Sequence, residues 1–303
     1  MSVLRALRRG IDALWFAPTS PYPIAAFRIL LGLYLLVYFG TLAPHTRVLF
    51  SRDGVYVPFL VPDFAPPVEI AWIAMAALLG LSAALTLGLW TRWVVPVLLV
   101  VYLHHYLLAL AVKDSAFERL IVIYLVALVP AQANAVWAWR RRSERAHAGG
   151  AEANAEVTSA SFTPRILRFQ TTMLYLGAGL WKLGNVEWHG PHLLRATLQS
   201  IWANPLAFQL VRLGWSDATW AWISRSVIAF ELLLAALLLV RRTRWLGVAL
   251  GIGFHALNCV VLALPEFLIC VAPYVFFLPP EHVERIGRGL GALGFSRRSR
   301  ADG

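Results

Sequence analysis

Val68–Leu89 reads VEIAWIAMAALLGLSAALTLGL, twenty-two residues with a single charge, Glu69, near its start. As a helix it would be about 33 Å long, enough to cross the roughly 30 Å hydrocarbon core of a bilayer. Seven more apolar runs lie on either side of it in the chain: Pro23–Leu42, Trp93–Ala111, Phe117–Trp137, Ile166–Leu183, Thr219–Val240, Trp245–Leu264 and Phe267–Leu278. Backbone polar groups in hydrocarbon must be satisfied by a helix or a closed barrel. These runs are too long and too uniformly apolar for barrel strands. The expected fold is therefore all-α, a polytopic integral membrane bundle of about eight transmembrane helices. Phe267–Leu278 is short, about 18 Å as an α-helix. It either extends through Pro265 and Glu266 or enters the membrane without fully crossing.

The composition agrees. Hydrophobic residues make up 59% of the 303, and charged residues only 14%. The mean hydropathy is +0.65. A soluble domain of this size needs about a quarter of its residues charged, so a soluble fold is excluded. The net charge of +11 reads as membrane topology rather than nucleic-acid binding, because the arginines gather at the ends of apolar runs. With the connections numbered alternately, eighteen of the 27 basic residues fall on the N-terminal side and seven on the other. Arg28 and Lys182 are set aside as intramembrane. The positive-inside rule then places both termini in the cytoplasm. On this reading residues 1–22 form a cytoplasmic segment and 23–280 the transmembrane domain. Within that domain, 138–164 is a cytoplasmic linker and 184–218 an outer loop at the interface. Residues 281–303 form a cytoplasmic tail. Cys259 and Cys270 both sit in apolar stretches and imply no disulfide framework. His189 and His192 lack a third ligand, so no metal is expected. No phosphate loop, nucleophile elbow or dinucleotide fingerprint is present, and no repeat points to a transporter.

Ionisable groups in hydrocarbon are costly, and each is a candidate site residue. Arg168, Thr172, Tyr175, Gly179 and Lys182 fall at offsets of 4, 7, 11 and 14, on one helical face. Counted from Arg241, Arg244 and Arg92, the residues Glu231, His255 and His104 lie about 15–18 Å deep, near mid-membrane. Lys182 lies about 21 Å from Arg168, and Asn258 shares the face of His255. Glu118 and Arg119 begin the fourth run. Matched depth predicts that Glu231 and His255 approach each other, with Asn258 lining the same cavity. A plainer reading stands beside each residue. Arg28 snorkels, Glu231 and His255 neutralise one another, and Lys182 reaches outward to headgroups. His104 and His105 hydrogen-bond between helices, and Gly177, Ala178 and Gly179 serve close packing.

Several motifs carry a resemblance. Tyr175-Leu-Gly-Ala-Gly-Leu-Trp-Lys182-Leu followed by Trp188-His-Gly190 resembles a pattern of the vitamin K-dependent gamma-glutamyl carboxylases. It also resembles their bacterial relatives, the HTTM (horizontally transferred transmembrane) domain proteins. The block from Phe230-Glu231 to Arg244, the Phe254-His-Ala-Leu-Asn258 block and Phe27-Arg-Ile-Leu-Leu-Gly32 are similar to further family signatures, in the same order. The resemblance implies a bacterial inner-membrane protein in which Lys182 is the base that deprotonates a reduced menaquinone or vitamin K-like quinol. Tyr175, Thr172, Glu231, His255 and Asn258 would bind that ligand. An amine in a dry pocket suits the role, because burial disfavours its charged form. The implied chemistry is of the carboxylase's lyase and epoxidase type. Three features depart from the carboxylases: Trp181 replaces the first of two adjacent lysines, Arg119 replaces a histidine, and the large extramembrane substrate region is absent. Two readings therefore stay open. One is a site acting on a quinol or other lipidic small molecule. The other is a non-enzymatic membrane partner or lipid-binding subunit that retains only the fold. The expected partners are the bilayer, that lipidic molecule and a membrane or extracytoplasmic protein, with nucleic acid excluded.

Overall fold

The computed structural model describes residues 8–55 apart from 9 and 14, 64–110, 115–138 apart from 132, 134 and 135, 159–201 apart from 161, and 203–296. Residues 1–7, most of the 138–164 linker and residues 297–303 of the tail lie outside this set. The chain divides into two compact units, Met1–Ile166 with Pro279–Gly303, and Leu167–Leu278.

The first unit is built on α1 (Tyr22–Leu42), followed by α2 (Thr46–Phe50), α3 (Val68–Leu87), α4 (Thr91–Ala109) and α5 (Ala116–Leu128). Half of the apolar window in Tyr22–Phe50 is buried, against 28% in α3 and 33% in α4. That makes α1 the enclosed helix, and Phe27, Leu31, Leu35 and Phe39 along it form the core with Met75, Leu78, Leu98 and Tyr124. The outer helices are apolar all round. Val37, Ile73 and Val100, each about two-thirds exposed, face outward, as helices in lipid do. Ser115 caps α5, its hydroxyl accepting from the Glu118 amide at 3.3 Å. The fourth apolar run was expected to reach Trp137, but α5 stops at Leu128. Pro130 has no amide hydrogen to continue the ladder, and turns replace the helix from Val129. A two-residue antiparallel pairing joins Pro18–Thr19 to Ser159–Ala160.

In the second unit, α6 (Phe162–Gly184, whose first turn lies in the first unit) leads into the 184–218 loop. There α7 (His192–Thr197) and α8 (Pro205–Arg212) precede α9 (Asp217–Leu239) and α10 (Arg244–Val261). The loop is folded rather than loose. Leu198 and Ala207 pack on Trp220 of α9 and Val261 of α10 in one buried cluster. The unit closes with a 3₁₀ helix, Pro265–Phe277. The last apolar run thus does extend through Pro265 and Glu266. At about 2.0 Å per residue, its thirteen residues reach roughly 26 Å, where an α-helix would give about 20 Å. Returning to the first unit, residues Pro280–Ser296 form α11, a helix not anticipated in the 281–303 tail. Pro at its start, Glu281 in its first turn and the Glu284/Arg288 spacing are the signals for it.

Among the described residues, five helical stretches are long and apolar enough to cross a membrane: Tyr22–Phe50, α3, α4, α9 and α10. α5 and the final 3₁₀ helix are shorter. α6 is long enough, but it carries Arg165, Arg168 and Lys182.

Candidate functional site

The polar stripe on α6 faces the interior of its unit. Thr172 and Tyr175 are buried, while Phe169, Leu180 and Trp181 on the opposite side are more than half exposed. Trp181, which replaces a lysine of the resembled pattern, thus lies on the apolar outer face. Gly179 lets α6 come close to α9, since a Cβ there would meet the Leu232 side chain at 2.7 Å.

The residue next to Leu232 is Glu231, and it pairs with Lys182. The amine donates to both carboxylate oxygens at 2.7 Å. The two side chains are 14% and 7% exposed, so this is a buried ion pair. The Trp188 ring covers the amine, 5.0 Å from its centroid. The sequence offered Lys182 either reaching out to headgroups or set in a dry pocket. In the structure the Glu231 carboxylate holds it.

Two turns further along α6, Tyr175 forms a second buried group. Its hydroxyl lies 2.6 Å from His255 Nε2 and 2.5 Å from the Tyr274 hydroxyl. All three residues are 3% exposed or less. Tyr274 enters from the 3₁₀ helix, and Gly251 of α10 makes room for it, since any side chain there would run into the phenol. His255 Nδ1 is buried with no hydrogen-bond partner among the described residues. Arg168, at the other end of the stripe, donates to the Phe276 carbonyl and ties α6 to the 3₁₀ helix.

The expected pairing of Glu231 with His255 is not the one formed. The two do lie at one level of their helices, because the preceding residues Phe230 and Phe254 pack with ring centroids 4.9 Å apart. Each nevertheless takes its partner from α6, where the polar stripe offers an amine to the acid and a phenol to the imidazole. Asn258 donates to the Phe254 carbonyl of its own helix at 2.9 Å. Tyr274 was missed from sequence, because a tyrosine inside an apolar run gives no polar periodicity.

The remaining intramembrane candidates belong to the first unit and form separate contacts. Arg28 does not snorkel. It is fully buried and donates to the carbonyls of Leu85 (2.6 Å), Thr86 (2.8 Å) and Trp137 (2.8 Å). Its guanidinium caps the end of α3, which has no basic residue in its own last turn. Glu118 Oε1 accepts from Tyr38 at 2.7 Å, and the Tyr102 hydroxyl lies 3.3 Å from the Glu118 carbonyl. Arg119 points outward. His105 Nδ1 lies 3.2 Å from the Val101 carbonyl, and His104 packs on Phe64. Among the described residues, no group of three or more metal-ligating side chains occurs.

No curated protein and no solved structure matches the chain. The HTTM domain family does match, over residues 16–282. That interval takes in α1 through the 3₁₀ helix, and with it both polar groups on α6. The chain belongs to the HTTM domain family and is a multi-pass membrane protein.

Proposed function

We propose that this HTTM protein uses the Lys182–Glu231 pair as a proton-handling site for a quinol or a similar lipidic small molecule with an acidic hydroxyl. The supporting observation is the pair itself: an amine and a carboxylate at 2.7 Å, nearly closed off from solvent, inside a membrane bundle. Intramembrane ionisable pairs mark sites by default. All eight apolar segments cross or enter the cell membrane in this reading. Both termini are cytoplasmic, and Gly184–Ala218 lies outside, so the site opens outward.

The residues present suit such a ligand. When bound, a reduced quinone supplies a weakly acidic phenolic hydroxyl. Glu231 takes a proton from Lys182 Nζ, which leaves a neutral amine and a neutral acid with no net charge moved into the membrane. The amine can then accept the ligand's hydroxyl proton. Trp188 keeps water from the amine, and Tyr175 and Thr172 line the approach below it. His255 Nδ1, buried and unpartnered, offers a further polar contact.

The direct test supplies reduced menaquinone and dioxygen to the protein in lipid nanodiscs and follows formation of the quinone epoxide, with water as the other product, by mass spectrometry. The wild type should convert it, and Lys182→Ala and Lys182→Arg should not, because a guanidinium stays protonated. If Lys182→Arg keeps full activity, or the wild type converts nothing, the reading fails. The alternative, a non-enzymatic lipid-binding or partner subunit, is favoured by the same closed pair, which neutralises both charges and satisfies both groups. Topology is checked separately with cysteine reporters at Ser200 and Gly150 in a Cys259→Ser, Cys270→Ser background. An impermeant thiol reagent added outside should label the first and miss the second. The reverse pattern would place Lys182 on the inner side.

A further inference from the structure

The turn between α3 and α4 carries features that the Lys182 site does not use. Gly88 closes α3 in the left-handed region at φ 73, and Trp90 also adopts it, at φ 40 and ψ 41. A bulky residue there is a conformational outlier, and such outliers are retained where the side chain is aimed for a purpose. Trp90 is 61% exposed and Trp93 68% exposed. With Leu81, Val94 and Val97 they line an open groove of about 520 Å³ whose surface is almost wholly apolar. Site volumes for small molecules run from roughly 300 to 1,000 Å³. The Arg92 guanidinium lies over the ring of Trp93, one of the groove's lining residues, 5.7 Å from its centroid.

The occupant follows from what surrounds this face. In a multi-pass membrane protein an outward apolar groove between two spanning helices meets lipid chains. Exposed tryptophans beside a turn mark the interfacial level, where headgroups begin. The charge at that level is a cation fixed on an aromatic ring, and its complement is an anion. We propose that the α3–α4 turn is a binding groove for an anionic phospholipid, with an acyl chain along Leu81, Val94 and Val97 and the headgroup phosphate on Arg92. A zwitterionic lipid would fill the same groove but gain less from Arg92, because its own ammonium offsets the phosphate.

Native mass spectrometry of the full chain, loaded with equal amounts of phosphatidylglycerol and phosphatidylcholine of identical acyl chains, tests this. The wild type should retain phosphatidylglycerol in preference. Arg92→Gln should lose roughly fivefold of that preference, while Arg47→Gln, an exposed arginine elsewhere, should keep it. Val97→Trp fills the groove and leaves Arg92 in place, so it should lower retention of both lipids. Equal retention of the two lipids by the wild type would overturn the proposal. So would an unchanged preference in Arg92→Gln, or unchanged retention in Val97→Trp. Circular dichroism of each variant confirms that the helices are intact.

Discussion

Arg28 of α1 and Lys182 of α6 are both basic residues on long helices of a membrane protein, yet they are held in opposite ways. Arg28 is spread over three backbone carbonyls at the end of α3 and the Trp137 corner. None of those partners can take or give a proton, and the planar fork spans the neighbouring Leu85 and Thr86 carbonyls at the end of α3. Lys182 has a carboxylate for a partner, so a proton can pass between them without creating net charge. Arg28 thus ties helices together through the backbone, while Lys182 is held by one titratable side chain. What divides them is the acceptor each one meets.

The largest effect is expected at Arg28. Arg28→Met removes three hydrogen bonds, from the Leu85, Thr86 and Trp137 carbonyls, a loss of about 5 kcal/mol that no second substitution at a side-chain partner can restore. Thermal unfolding in detergent should show a loss of folded protein or a large fall in Tm. A near-normal Tm would mean that the cap is dispensable. Breaking the Lys182 pair comes next. Glu231→Ala strands a buried amine and should cost about 3 kcal/mol, whereas Glu231→Ala with Lys182→Met should recover most of it. If the double variant is no better than the single one, the two residues do not act as a pair.

Smaller effects come from the phenol group and the surface. Gly251→Ala pushes into Tyr274 and should cost about 2 kcal/mol. Adding Tyr274→Phe should give part of that back, by removing the atom that is struck. The smallest effect is at the exposed Glu284–Arg288 pair of α11. There the Arg288 hydrogen bond holds the Glu284 carboxyl below its usual range. Its contribution is present at neutral pH and is lost as pH falls through the lowered folded value. Helicity of α11 should thus decline slightly on acidification, and less so in Glu284→Gln. A fully pH-independent helix signal would show that the pair contributes nothing.

Much of this was readable in advance, for a physical reason. Apolar runs such as Val68–Leu89 need no tertiary information to be read as helices, and the 3.6 period put Thr172, Tyr175, Gly179 and Lys182 on one inward face. Relative level was readable too, as the Phe230–Phe254 ring contact beside Glu231 and His255 shows. Partner choice was not, because depth fixes a residue's level along its helix and leaves open which neighbouring helix it faces. Lys182 therefore had no assigned partner, and Glu231 appeared matched with His255. Tyr274 was hidden because its segment winds as a 3₁₀ helix that an α-helical reading misplaces. Arg28 could have been recognised as a cap from the lack of a basic residue at the end of α3, but its remote acceptor, Trp137, lay beyond any local pattern.

The central claim is that the proton of Lys182 can move to Glu231 when a ligand hydroxyl arrives. Infrared difference spectroscopy of the protein in nanodiscs, with and without reduced menaquinone, reads this at the carboxyl group. The account predicts that a protonated-carboxyl band appears on ligand addition in the wild type and is missing in Glu231→Gln. A wild-type spectrum with no such band, or the same band in Glu231→Gln, would contradict it and leave Lys182 and Glu231 as a structural pair.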